Sequence, residues 1–166
     1  MSTLVGIGWD SHRLVEGRRL IVGGVQIEHE RGLDGHSDAD VLTHAVIDAL
    51  LGAAGLGDIG EHFPDSDERW RDSDSMVLLG HVVSLLDDAD MGIVNVDCTL
   101  IMQEPKLGDK RAAIRESLAA ALGLEERRVN VKASTGERIG FVGRGEGVAA
   151  LAIAGVRSGA DSSEPS

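Results

Sequence analysis

The chain has 166 residues, with 16 Lys plus Arg against 28 Asp plus Glu and a formal net charge of −12. That length suffices for one domain with its own core, and the acidic balance excludes a nucleic-acid partner or an anionic membrane surface, both of which need clustered Lys and Arg. Two Trp, two Phe and no Tyr offer no base-stacking platform; the single cysteine excludes an internal disulfide and points to the reducing cytoplasm; 22 Gly, about twice the usual share, ask for close backbone approach or left-handed turns.

The N-terminus, MSTLVGIGWD, lacks a basic region ahead of a long apolar stretch, so no signal peptide is expected. No apolar run reaches the roughly 18 residues of a membrane helix. Thr3 to His12 alternates, with Val5, Ile7 and Trp9 on one face and Gly6, Gly8, Asp10 and His12 on the other, which predicts a strand. Arg19–Val22 and Val25–His29 read as a hairpin around Gly23 and Gly24. Asp38 to Leu56 reads as a helix with the apolar stripe Leu42, Ala45, Val46, Ala49, Leu50, closed by Gly55 or Gly57. Gly57 to Trp70 reads as loop. A second helix, Asp74 to Ala89, has Ser73 or Asp74 as its cap. Val94 to Met102 reads as a strand with Val94, Val96, Cys98, Leu100 and Met102 on one face. Asp109 is placed to cap a third helix that Gly123 stops after Leu122. Val129–Ser134 and Val148–Val156 read as strands flanking a glycine-dense turn, ERIGFVGRGEG. The fold class expected is α/β (α+β): a single two-layer domain, a β-sheet covered by helices on one face, spanning 1–157, with 158–166 as a disordered tail. Apolar residues on the other sheet face point to oligomerisation through the sheet.

Asp10 and His12 are two apart on one strand face, and Asp40, His44 and Asp48 are spaced i, i+4, i+8 on the first helix. An Asp-His-His set with a fourth position open is the usual arrangement of a catalytic zinc site. Asp40, one turn before His44, is the expected partner for that ring's free nitrogen. The competing readings are a solvated strand end and a helix-surface ion pair. Asp65-x-Asp67 and the Asp34, His36, Asp38 run both lack the Gly of a calcium loop. An acidic protein that handles phosphates needs local cations, and the candidates are the backbone of GHSDAD at the start of the first helix, Lys106, Lys132 and Arg144. Glu137, within KASTGERIGFVGRGEG, is a candidate ligand for a hard cation such as Mg²⁺.

Four blocks, GIGWDSHRL, GHSDADVLTHAVIDALLGAAGLGDIGEHFPDSD, NVDCTLIMQEPK and NVKASTGERIGFVGRGEG, resemble the 2-C-methyl-D-erythritol 2,4-cyclodiphosphate synthase family in order and interval, from about Val5 to Val156. The resemblance implies a mixed β-sheet, sheets packed around the three-fold axis of a homotrimer, and active sites between neighbouring subunits. It implies conversion of 4-diphosphocytidyl-2-C-methyl-D-erythritol 2-phosphate to the cyclic diphosphate and CMP, in non-mevalonate isoprenoid synthesis. Asp10, His12 and His44 match the family's zinc ligands, and Glu137 its ligand for Mg²⁺ or Mn²⁺. His36 and Thr135 match transition-state stabilisers, and Ser37 a phosphate contact. Asp48, Asp58, Ile59, Gly60, Phe63, Pro64, Asp65, Ser66 and Asp67 fall in the helix and segments that hold the methylerythritol. Met102, Gln103, Glu104, Pro105, Lys106, Leu107 and Gly108, with Ser134 and Gly136, match the cytidine diphosphate segments. Phe141 and Arg144 match positions near the trimer axis. The chain departs from the family pattern at Trp9, at Leu107-Gly108-Asp109 and at Gly136. Two other functions use the same residues: a zinc-dependent phosphohydrolase, and a non-catalytic nucleotide or isoprenoid-diphosphate binding trimer.

Overall fold

The computed structural model describes residues 2–159. Its elements in chain order are β1 (Thr3–Glu16), β2 (Leu20–Val22), β3 (Val25–Ile27), β4 (Arg31–Leu33), α1 (Val41–Ala54), α2 (Ile59–His62), α3 (Ser75–Asp88), β5 (Met91–Ile101), α4 (Lys110–Leu122), β6 (Val129–Ser134), α5 (Gly140–Gly143) and β7 (Gly147–Ser158). A five-stranded mixed sheet has the order β4-β1-β7-β5-β6; β5 and β6 run parallel and the other pairs antiparallel, while β2 and β3 form a separate hairpin. The long β1–β7 pairing holds Thr3 opposite Arg157 at one end and Arg13 opposite Gly147 at the other.

α1 is the centre of the core. Its Val41, Leu42, Ala45, Val46, Ile47, Ala49, Leu50 and Leu51 are fully buried, so it is apolar almost all round, as a helix covered on both sides must be. It lies between the sheet and α3. The approach to β1 is backbone to backbone: a Cβ on Gly6 would sit 2.0 Å from the Ala49 carbonyl oxygen, and one on Gly8 1.8 Å from that of Ala45. Much of the glycine excess is explained by contacts of this kind. Gly55, at φ +68°, ends α1 in the left-handed turn expected of it.

Several expectations are corrected. α1 begins at Val41, not Asp38, because Asp40 caps it with a carboxylate that accepts from Thr43 N–H. β1 runs on to Glu16 because β4, too short to show a period, pairs Arg31–Leu33 with Leu14–Glu16. Val94 is not on the core face of β5: the register shifts between Ile93 and Asn95, so Met91 and Ile93 pack on the core before the bulge and Val96, Cys98 and Leu100 after it. Asp109 makes no side-chain cap bond to α4. The 57–70 loop contains α2 and a 3₁₀ turn at Glu68–Trp70, and the glycine-dense turn contains α5. Ser158 closes β7 rather than opening a tail, and 160–166 lie outside the described residues. Cys98 is buried, and burial, with the Asp97 charge beside it, pushes its thiol up to about 12, so it is chemically inert.

The opposite sheet face is bare in the single chain. Val5, Ile7 and Trp9 are each more than half exposed, with Ile153 beside Ile7 across the strand pair. No helix among the described residues is long and apolar enough to cross a membrane.

Candidate metal centre and substrate cleft

The Gly6 and Gly8 contacts set the site. They press β1 onto Ala49 and Ala45 of α1, so the next two residues on the same strand face, Asp10 and His12, come level with the first turn of the helix, where His44 stands. Asp10 Oδ2 lies 2.8 Å from His12 Nε2 and 3.1 Å from His44 Nδ1, and the two ring nitrogens are 3.4 Å apart. A tetrahedral centre with ligand bonds of about 2.0–2.1 Å has edges of about 3.3 Å, so the three atoms already stand at the corners of one tetrahedral face. Among the described residues they are the group of His, Cys, Asp and Glu able to hold a metal ion. The donor set, two imidazoles and a carboxylate, suits zinc and similar divalent ions.

Each imidazole is held from behind. His12 Nδ1 lies 2.7 Å from the Asp34 carbonyl, and His44 Nε2 lies 2.8 Å from Ser75 Oγ and 3.2 Å from Ser37 Oγ. Asp40 is not the partner of the His44 ring. It is fully buried, and its two oxygens accept from Gly23, Gly24 and Thr43 N–H and from Thr43 Oγ–H. Its carboxylate therefore already fills the start of α1, which is not a phosphate seat, and it ties the β2–β3 hairpin to the helix. Burial raises the Asp40 carboxyl above its ordinary range against those hydrogen bonds.

The electrostatics suit cation binding. Burial opposes charge on both Asp10 and His12, but their mutual hydrogen bond and attraction win. Asp10, which also faces His44, is drawn down to about 2, and His12, with the Asp34 carbonyl adding, is raised above 6.5. A proton on His12 Nε2 competes directly with a cation. Affinity is thus complete above the raised His12 value and falls as pH drops through it, by about tenfold per pH unit for one displaced proton. Chelator-competition affinity for Zn²⁺ measured at stepped pH is expected to be flat above the raised His12 value and to fall as pH drops through it; an affinity that does not change with pH down to about pH 4 would contradict the assignment.

The centre opens on a cavity of about 360 Å³ lined by Asp10, His12, His36, Ser37, His44, Ile59, Gly60, Phe63, Pro64 and Asp65 of the expected residues. Trp70 and Leu78 also line it and were not expected. Trp70 stands edge-on to Phe63 at 5.0 Å, and its indole N–H is buried with no partner among the described residues. Asp48 does not line the cavity: its Oδ1 accepts from Ile59 N–H at 2.8 Å and fastens α2 to α1. Burial, with Asp58 and Asp10 adding, raises its carboxyl. Asp58 caps α2, and Asp67 is paired with Arg69, so both serve the turn that forms the wall. Ser66 is exposed outside the cavity.

A second cavity, about 290 Å³, is lined by Met102, Gln103, Pro105, Lys106, Leu107, Gly108, Ser134 and Thr135, together with Leu100, Arg111 and Ala133. Glu104 is outside its lining, and so is Gly136, where a Cβ would meet Gly143 N at 2.4 Å. Thr135 Oγ accepts from Glu137 N–H at 3.1 Å, and Arg138 N–H donates to Gln103, which fixes the turn at the mouth. The two cavities share no lining residue. Lys132 is not free for phosphate, since it is paired with Asp97 at 2.7 Å. Arg144 pairs with Glu146 at 2.9 Å, and Phe141 lies against a third hollow with Ser11 and Arg13; neither lines the metal-side cavity or the Met102–Gly108 cavity.

Fold and site together define an α+β protein with three residues that could hold a metal ion, one side of the group open to a cleft, the arrangement of catalytic rather than structural metal sites. More particularly, the chain belongs to the YgbB family, which residues 3–157 match. It is 57% identical over 152 residues to the 2-C-methyl-D-erythritol 2,4-cyclodiphosphate synthase of Alkaliphilus metalliredigens, covering 92% of this chain and 96% of that one. It is 58% identical over 153 residues to the synthase of the same name from Laribacter hongkongensis, covering 92% and 94%. Among solved structures, the bifunctional IspDF from Campylobacter jejuni aligns with a TM-score of 0.91 at 43% identity, covering 95% of this chain and 42% of that one. A CDP-bound 2C-methyl-D-erythritol-2,4-cyclodiphosphate synthase aligns with a TM-score of 0.85 at 38% identity, covering 92% and 99%.

Proposed function

We propose that this chain performs the reaction its relatives are named for, as a cyclising phosphorus–oxygen lyase. It converts 4-diphosphocytidyl-2-C-methyl-D-erythritol 2-phosphate to 2-C-methyl-D-erythritol 2,4-cyclodiphosphate and CMP in the non-mevalonate route, in the cytoplasm. The observation that carries this reading is the Asp10–His12–His44 centre opening directly on the cavity that His36 and Ser37 line.

The substrate supplies its own nucleophile. An oxygen of the 2-phosphate bonds to the β-phosphorus, and the bond from that phosphorus to the α-phosphate oxygen breaks, releasing CMP. No water and no enzyme nucleophile enter. When bound, zinc at Asp10, His12 and His44, and magnesium or manganese at Glu137, supply Lewis-acid charge to the phosphate oxygens. The chain's own residues bring two anionic groups together. The Phe63–Asp65 wall and α2 hold the methylerythritol end, the Met102–Gly108 segment holds the cytidine end, and fixing both makes the attack intramolecular, worth up to about 7–11 kcal/mol. His36 and Thr135 donate to oxygens where charge develops, each worth about 3 kcal/mol.

The metal cleft and the cytidine cavity are separate in one chain, and the Val5, Ile7, Trp9 and Ile153 face is unpartnered there. Both features support a homotrimer in which one subunit's metal cleft faces its neighbour's cytidine cavity. Specific activity is then expected to fall as dilution dissociates the trimer; activity unchanged in demonstrated monomers would contradict the shared site. The chemistry is tested in ¹⁸O-labelled water. Cyclisation leaves CMP and the cyclic product unlabelled, whereas label in a phosphate product means hydrolysis.

A further inference from the structure

We propose that Arg18 is a positioning residue for the cyclisation, holding the loop between β4 and α1 so that His36 and Ser37 line the cleft in the right place. The role presupposes that the cleft performs the reaction proposed above. Seven residues, 34–40, join β4 to α1 without regular structure, and two of them, His36 and Ser37, line the cleft. Ala39 stands at φ 56°, a left-handed conformation unfavourable for a residue with a Cβ, so the loop is held against its own preference. Arg18 restrains it at two points. Its Nε–H donates to the Leu33 carbonyl at 3.0 Å and its Nη2–H to the Ser37 carbonyl at 2.8 Å. The guanidinium is a rigid planar fork, so it fixes the span from the end of β4 to the middle of the loop, and His36 lies inside that span.

The arginine is itself placed by close backbone packing. Gly17, at φ 78°, turns the chain out of β1 just before it. A Cβ on Gly32 of β4 would lie 2.3 Å from the Arg18 carbonyl oxygen and 2.2 Å from that of Arg19. Arg69, Arg71, Arg127 and Arg144 pair with carboxylates, whereas Arg18 makes no ion pair among the described residues and gives its donors to loop carbonyls. Backbone bonds hold the loop on either side of His36: Asp34 N–H donates to the Arg13 carbonyl at 2.9 Å and Asp38 N–H to the Ser73 carbonyl at 3.1 Å. The His36 carbonyl accepts from Asp72 N–H at 2.9 Å, so that amide reports where His36 sits. Arg18 lines no part of the cleft; it lies on a separate hollow with Gly17, Arg19, Ile21, Asp38 and Asp72, and so acts through the residues it holds.

The test pairs kinetics with amide hydrogen exchange. Arg18→Met keeps the apolar stem and removes the donors; Arg18→Lys keeps stem and charge but puts one ammonium in place of the planar fork. Both are expected to lower kcat by about 10–100-fold, the effect of misplacing a reacting group by about 1 Å, with KM within about threefold of the wild type. In a His36→Ala background the same substitutions are expected to cost less than about threefold further, because the group they displace is gone. Arg19→Ala removes an exposed neighbouring charge and is expected to keep wild-type turnover. Exchange at the Asp72 amide is expected to rise about tenfold or more in both Arg18 variants, with the β1–β7 ladder unchanged. Wild-type kcat in the folded variants, losses that multiply fully with His36→Ala, an equal loss in Arg19→Ala, or unchanged Asp72 exchange overturns the proposal. Arg18→Lys decides the matter if Arg18→Met does not fold. A wild type that makes no cyclic product refutes the cyclisation reading instead, and Asp72 exchange still decides whether Arg18 holds the loop.

Discussion

His44→Ala is expected to lose the bound cation and about 10³-fold or more of turnover while remaining folded. A divalent ion at a phosphoryl centre is worth several kcal/mol of transition-state stabilisation, and about 4 kcal/mol corresponds to about 10³-fold in rate. The variant leaves Asp10 and His12 paired at 2.8 Å, but two ligands no longer close a tetrahedral face. The fold survives because the truncated ring lies at the cavity edge, Ser75 keeps its bonds to Asp38, and the fully buried stripe of α1 is untouched. Metal analysis, circular dichroism and CMP release on one preparation check all three parts. Wild-type turnover in a variant shown to be metal-free would contradict the role of the centre.

The second large effect comes from a methyl group. In Gly8→Ala the new Cβ would lie 1.8 Å from the Ala45 carbonyl oxygen and 2.8 Å from Ala49 N. Both are helix backbone atoms that cannot rotate away, so α1 must lift from β1. Overpacking of this kind costs about 3 kcal/mol or more, a melting temperature about 6–12 °C lower for a chain of this size. Because the same contact sets His44 opposite Asp10 and His12, metal affinity should fall with it. Gly80, on the exposed side of α3, has nothing within 4 Å of its Cβ position. Gly80→Ala should therefore be neutral or stabilising by up to about 1 kcal/mol. Equal melting temperatures for Gly8→Ala and the wild type would refute the contact argument.

The Asp10, His12 and His44 group that could hold a metal was legible in the sequence because each residue obeys a simple period: Asp10 and His12 two apart on a strand, His44 on a helix whose partner strand carries Gly6 and Gly8. Asp40 was misread for an instructive reason. Its i to i+4 spacing to His44 places both on one helix face only if both are helical, and Asp40 has ψ 89°, outside the helix it caps. Ser75 carries no sequence signal. It reaches His44 because α3 packs against α1, from 31 residues away. The bulge at Val94 was hidden because V-N-V-D-C alternates without a break, so nothing local reveals the extra residue. Lys132 looked like a phosphate cation because composition alone does not show Asp97 beside it, on the neighbouring strand. Periodic faces are written locally; cross-element partners are set by packing.

The measurement that bears most directly on the account is phosphorus NMR of the purified protein with 4-diphosphocytidyl-2-C-methyl-D-erythritol 2-phosphate, Mg²⁺ and Zn²⁺, run beside a chelator-treated sample. The account predicts CMP and a cyclic diphosphate in equal amounts, both absent with chelator. CMP accompanied by linear phosphates alone, or cyclisation undiminished in the metal-free sample, would contradict it.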